Sequence, residues 1–344
     1  VTLRRLLTWK ALFYEGLLPG LRRLSPARAD AALDALGRAL AGRPGRRRRL
    51  ESTLERSRQA LGAGWDLPRT RRELSANLVR FAARDYLLDG LDDDAFAARF
   101  DVLGYEHLAA ALGDGRGVVL LGCHFGGHLA AVHWLYRRGV PLRLLVQRPR
   151  HVSDDLLARF DDATAPAPQR DLFLHWRMPP GEAAGRLLHA RDALRRGLAV
   201  YLNGDIPWPS DNAHPGRLLG REQHFLAIWA DLAALARAPV VPVFCTHRPG
   251  GRFLIAFDAP WDLRGVRPAE AVTRYLARLE QVIANHPADA VAHLTWPAYA
   301  PADGDPGAGP SPSAVFAAPS ARPGRPRPAP APARPRRAVV GPIE

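Results

Sequence analysis

The chain has 344 residues, 47% of them hydrophobic, with a formal net charge of +14. That is enough apolar material for a packed core, which excludes a wholly disordered protein. Two cysteines, Cys123 and Cys245, exclude a disulfide-stapled scaffold and fit a reducing compartment. The charge is uneven. Residues 1–100 carry 20 Lys/Arg against 12 Asp/Glu and residues 301–344 carry 6 Arg against 3 acids, leaving the middle nearly balanced. A basic amino-terminal segment points to an anionic partner, a phospholipid surface or a nucleic acid. No aromatic-basic stacking pattern accompanies it, so nucleic acid ranks last.

In chain order, residues 1–18 are amphipathic, mixing Trp9, Phe13, Tyr14 and leucines with Arg4, Arg5 and Lys10. They lack the small-residue cleavage pattern of a signal peptide. They suit the plane of a membrane interface, or equally an ordinary packed helix. No run of 18 apolar residues occurs anywhere, so no transmembrane helix is expected. Helical spacing recurs near 26–42, 46–62 and 69–88. The run Arg46–Arg49 opens the second of these, as a solvated face or a phosphate contact.

From about residue 104 the pattern alternates. Strands are predicted at 117–122, 142–146, 198–203, 240–246 and 253–258. Helices are predicted near 126–138, 152–160, 181–195, 225–237 and 268–285. This predicts an α/β fold with a mostly parallel central sheet flanked by helices. Residues 205–224 read as a long polar loop of the functional kind. Residues 301–344 hold 12 prolines and read as a disordered tail. The expected organisation is a helical, membrane-associating segment over 1–100, an α/β domain over 101–300, and the tail.

Three polar groups fall at the carboxyl ends of predicted strands: His124 with His128, Gln147 with Arg148, and Asn203 with Asp205. Parallel strands bring such ends to one edge, where ligands of open α/β sheets bind. A base, a guanidinium and a carboxylate in one crevice suit group transfer. Gly126 and Gly127 would let a substrate approach the backbone. Both cysteines read as buried structural thiols. A zinc site on His124, His128 and His133 is disfavoured, because the two glycines place His124 ahead of the helix; no metal is expected.

The order of these features resembles the bacterial lipid A biosynthesis acyltransferase family, within the lysophospholipid acyltransferase superfamily. The carriers are Gly115–Gly122, His124-Phe125-Gly126-Gly127-His128-Leu129, Val146-Gln147-Arg148-Pro149, Asn203-Gly204-Asp205, Gly216-Arg217-Leu218-Leu219-Gly220, Ala238–Phe244 and Asn285-His286-Pro287. Together they cover about residues 40–298. The resemblance implies a peripheral enzyme on the cytoplasmic face of the inner membrane. It would move a fatty acyl group from an acyl carrier protein or coenzyme A thioester to a lipid or glycolipid hydroxyl or amine, with no cofactor. His124 would be the general base, Arg148 would hold a phosphate, and Asp205 would orient a base or an Arg. Gly126, Gly127, His128, Asn203, Arg217 and Gly220 would line the substrate site. The family motif is His, four spacers, then Asp or Glu. Here Leu129 takes the acid's place. Two readings follow: Asp205 or a backbone carbonyl orients His124 instead, or the chain is a catalytically silent relative that binds lipid as an accessory protein.

Overall fold

The structure, a computed structural model, describes residues 12–41, 44–83, 85–149, 152–162, 169–175, 178–208 and 213–299. Residues 1–11 of the amphipathic start and the expected tail at 301–344 lie outside the described residues.

The strands are β1 (Phe100–Leu103), β2 (Val118–Gly122), β3 (Leu142–Leu144), β4 (Ala199–Asn203), β5 (Ala213–Leu218), β6 (Arg221–Leu226), β7 (Val240–Arg248) and β8 (Arg252–Phe257). Six of them make one sheet in the order β1-β8-β7-β2-β4-β3. The helices used below are α1 (Pro26–Ala41), α2 (Pro44–Leu61), α3 (Leu67–Ala83), α4 (Asp93–Ala97), α5 (Tyr105–Gly113), α6 (His128–Arg137), α7 (Asp154–Asp161), α8 (Pro180–Arg195), α9 (Ile228–Ala236), α10 (Pro268–Asn285) and α11 (Val291–Thr295).

Val118, Val119, Leu120 and Leu121 of the central strand β2 are wholly buried. Such a run, apolar on both faces, is what a parallel strand covered by helices requires. Val119 and Leu121 join the cluster formed with α8, α9 and α10, including Leu194, Leu232 and Leu279. Val118 and Leu120 point the other way, to Leu108 of α5, Leu135 of α6 and Leu156 of α7. At about 1.5–3 kcal/mol for each fully buried Val or Leu, these two layers dominate the stability of the sheet.

Within the six-stranded sheet all pairings are parallel except β7 with β8. The reason is local: Arg248 pairs with Arg252 across Pro249-Gly250-Gly251, and both glycines take positive φ. So short a connection joins only antiparallel neighbours. β1, which was not expected, then adds beside β8 as a four-residue edge strand.

The region 205–224 departs from the expected loop. It contains the hairpin β5–β6, whose two-residue turn is Leu219-Gly220 with φ of 53° and 78°. Two left-handed residues are the signature of the hairpin turn that matches strand twist. The predicted helix at 225–237 begins only at Ile228, because the hairpin uses the preceding residues.

The amino-terminal helices share the core of the sheet. Leu50 and Leu54 of α2 and Leu74 and Phe81 of α3 lie in the same cluster as β2 and α10. Trp65 donates to the carbonyl of Ala284 at 2.8 Å, and Asn77 donates to that of Ala288 at 3.0 Å. Among the described residues no helix is long and apolar enough to cross a membrane.

Candidate active site

His124 lies two residues beyond β2. Asn203 ends β4, which pairs in parallel with β2, and Asp205 lies two residues beyond it, so both arrive beside His124. Registry fixes the match, because Gly122 pairs with Asn203 and the amide of Gly204 donates to the carbonyl of Gly122 at 3.0 Å.

Asp205 is the centre of the site and is wholly buried. Its Oδ1 lies 3.2 Å from His124 Nδ1. Its Oδ2 accepts from the backbone amide of His124 at 2.8 Å and from the hydroxyl of Tyr299 at 3.1 Å, and lies 2.9 Å from His293 Nε2. Burial alone would raise the pKa of this carboxyl. The charge and hydrogen bond of His124, with the hydrogen bond and charge of His293, outweigh burial and hold it well below the usual carboxylate range. An ionised carboxylate only accepts, so Nδ1 of His124 and Nε2 of His293 carry the protons. In the neutral imidazole of His124, Nε2 is then the acceptor, with Asn203 Nδ2 at 3.3 Å.

Aromatic rings close around this group. The ring of His128 packs 5.5 Å from that of His124 and 5.3 Å from Phe81. Trp296 lies 5.4 Å from His124 and meets Phe81 edge-on. Tyr299 is buried, and its hydroxyl also lies 3.1 Å from His124 Nδ1. The imidazole of His124 keeps 19% of its surface exposed, while Asp205 and His293 have none. The arrangement sets a partly exposed imidazole against a wholly buried carboxylate, a geometry that can serve general-base chemistry.

Residues 172–291 match the family model described as bacterial lipid A biosynthesis acyltransferase. Across that segment the chain is similar to the lipid A biosynthesis acyltransferase family. The matched part includes Asn203, Asp205, Arg217 and Gly220; His124 and Tyr299 flank it in sequence and meet it in space. No curated protein matches the chain.

Several residues expected in the site make other contacts in this fold. A Cβ at Gly126, whose φ is +47°, would sit 2.0 Å from the carbonyl oxygen of Cys245, and one at Gly127 would sit 2.6 Å from Phe253. Their amides donate to Asp289 and Cys245. The two glycines thus admit the protein's own strand β7, and the room expected for substrate is filled. Gly126→Ala is therefore expected to lower the melting temperature by more than 10 °C, since neither the backbone carbonyl nor the left-handed φ can yield; thermal denaturation of the purified variant checks this.

Arg148 pairs with Asp161 at 2.7 Å and lies over Phe173. Arg217 stands opposite Glu222 in the hairpin, and Gly220 packs against Ala60 of α2. His128 is buried as a wall behind His124 rather than open to a ligand. Leu129 is buried in the α6 layer as a core residue. Burial pushes both cysteine thiols far up in pKa, in keeping with structural thiols. His293, Tyr299 and Trp296 were missed in the sequence. The signal for them was the run of aromatics and His after the helix end at Asn285-His286-Pro287.

The three histidines weighed as a zinc set are not brought together as one. His133 instead forms a group with Asp89 and Asp155, their ligand atoms lying within 4.8 Å of one another. Asp89 accepts from the amides of Asp154 and Asp155 at the start of α7, and Arg22 lies 3.8 Å away. A helix amino terminus carries positive potential, which the carboxylate of Asp89 neutralises. Burial pulls the pKa of His133 down to about 4. The unfolded chain therefore binds the proton first as pH falls. This contribution to stability is full above about pH 6.5, falls between there and about pH 4, and then levels off. Urea unfolding should show a loss on the order of 2–3 kcal/mol over that interval, and His133→Gln should remove this part of the slope.

Proposed function

We propose that this protein is a peripheral membrane acyltransferase that moves a fatty acyl group from an acyl carrier protein or coenzyme A thioester to a hydroxyl or amine of a lipid or glycolipid. His124 Nε2 takes the proton of the acceptor as its oxygen or nitrogen attacks the thioester carbonyl. The carbonyl oxygen becomes an oxyanion in the tetrahedral intermediate. Collapse breaks the C–S bond, and the thiolate leaves with the proton from Nε2. Asp205 orients the imidazole and supports its positive charge, taking the part of the acid that Leu129 lacks.

The observation that carries this reading is the contact of His124 Nδ1 with Asp205 Oδ1 at 3.2 Å, which leaves Nε2 as the acceptor at the sheet edge. Exposed Leu12, Leu17 and Leu24, beside Arg23, support an interfacial position for the amino-terminal helices. The proposed location is the cytoplasmic face of the inner membrane. The alternative, a silent lipid-binding accessory protein, draws on Leu129. A mass-spectrometric transfer assay separates the two. Purified protein is incubated with acyl-carrier-protein or coenzyme A thioesters and a total lipid extract. An acylated lipid that requires His124 supports the transferase; lipid binding without product supports the accessory protein.

A further inference from the structure

We propose that Asn203 is a catalytic residue, whose side-chain amide holds the reactive nitrogen of His124 at rest and donates to the thioester oxyanion during transfer. This rests on the acyl-transfer reading above.

Asn203 Nδ2 lies 3.3 Å from His124 Nε2. The orientation of the amide follows from the proton count. Asp205 fixes the proton on Nδ1, so Nε2 presents a lone pair. An amide turned the other way would set its oxygen against that lone pair. The NH2 therefore faces His124, and Asn203 Oδ1 is left buried without a partner.

The contact is also rigid. Asn203 is the last residue of β4, paired in register with Gly122. A Cβ at the following Gly204 would lie 2.7 Å from Leu121 and 2.8 Å from Tyr275, so the turn after Asn203 is held on two sides. A donor fixed by a strand end costs no reorganisation during reaction.

An acceptor hydroxyl that binds Nε2 displaces the Asn203 hydrogen bond and frees its N–H groups beside the forming bond. The thioester carbon then lies roughly one bond beyond the acceptor oxygen. Its oxyanion falls within about 3 Å of a donor so close to Nε2. As the C–O bond forms, the acceptor proton passes to Nε2 and the carbonyl electrons move onto oxygen, where Asn203 donates. Collapse returns those electrons, breaks C–S, and the thiolate takes the proton.

The test compares wild type, His124→Ala, Asn203→Ala and Asn203→Asp in steady-state transfer, with melting temperatures measured for each. Asn203→Asp keeps the shape without the donor, which covers the case in which the alanine variant folds poorly. Both Asn203 variants should lose about 10²–10³-fold in kcat with KM changed by less than about threefold. In protein carrying 15N-labelled histidine, the Nε2 resonance of His124 should move in Asn203→Ala, a change that a remote packing role would not cause. A kcat within about threefold of wild type in Asn203→Asp, or an unmoved Nε2 resonance, overturns the assignment while leaving the transferase intact. Wild type without His124-dependent turnover overturns the transferase and the role of Asn203 together.

Discussion

Replacing His124 by alanine is expected to abolish acyl transfer. The loss should be at least about 10⁴-fold in kcat/KM, the upper end of what a positioned general base supplies. It should fall on catalysis and not on folding. The imidazole makes its contacts at the partly open rim of the site, and the backbone amide that binds Asp205 survives the substitution. The melting temperature is therefore expected to move by only a few degrees. The measurement is product formation by mass spectrometry beside a thermal melt. Full activity in this variant would sink the mechanism outright.

The second large effect is expected at Asp205. Asp205→Asn preserves shape but replaces an acceptor by a group whose NH2 must face donors. His124 then loses the partner that selects its tautomer, and kcat should fall by about 10³–10⁴-fold. Unlike the change at His124, this one also destabilises, because three hydrogen-bond donors and the ring of His293 converge on a wholly buried carboxylate. About 1–3 kcal/mol is expected for each buried donor left without an acceptor. The pH response follows from the lowered pKa. The folded protein keeps Asp205 ionised below the pH at which the unfolded chain takes up the proton, near 3.8. Its stabilisation is complete above that value and is lost as pH falls below it. Acid unfolding of wild type should be steeper below pH 3.8 than that of Asp205→Asn.

Much of the frame was legible because its signals are local. β2, β4 and β7 are short apolar runs bounded by Gly or Pro, and α8 and α10 follow helical spacing almost to the residue. Parallel alternation then sufficed to bring His124, Asn203 and Asp205 to one edge. What stayed hidden depends on long-range contact. His293 reaches Asp205 across 88 positions and Tyr299 reaches His124 across 175; no spacing rule links such residues. The hairpin β5–β6 was hidden for another reason. Its strands are mostly polar and half-exposed, so they lack a strong period of two, and only the left-handed Leu219-Gly220 turn betrays them. The glycines after His124 were visible as a motif, but their purpose was not. That required β7, which sits against them.

The distance in sequence between base and acid has a consequence for how activity arises. A His and an acid five residues apart can be set by one turn and the helix that follows it. Here they are 81 positions apart, and the groups that fix them extend to residue 299. In the proposed mechanism a chain whose 291–299 segment is opened therefore has an imidazole whose acid has lost two of its partners, His293 and Tyr299, so local unfolding at that end is expected to reduce activity before the sheet itself is lost.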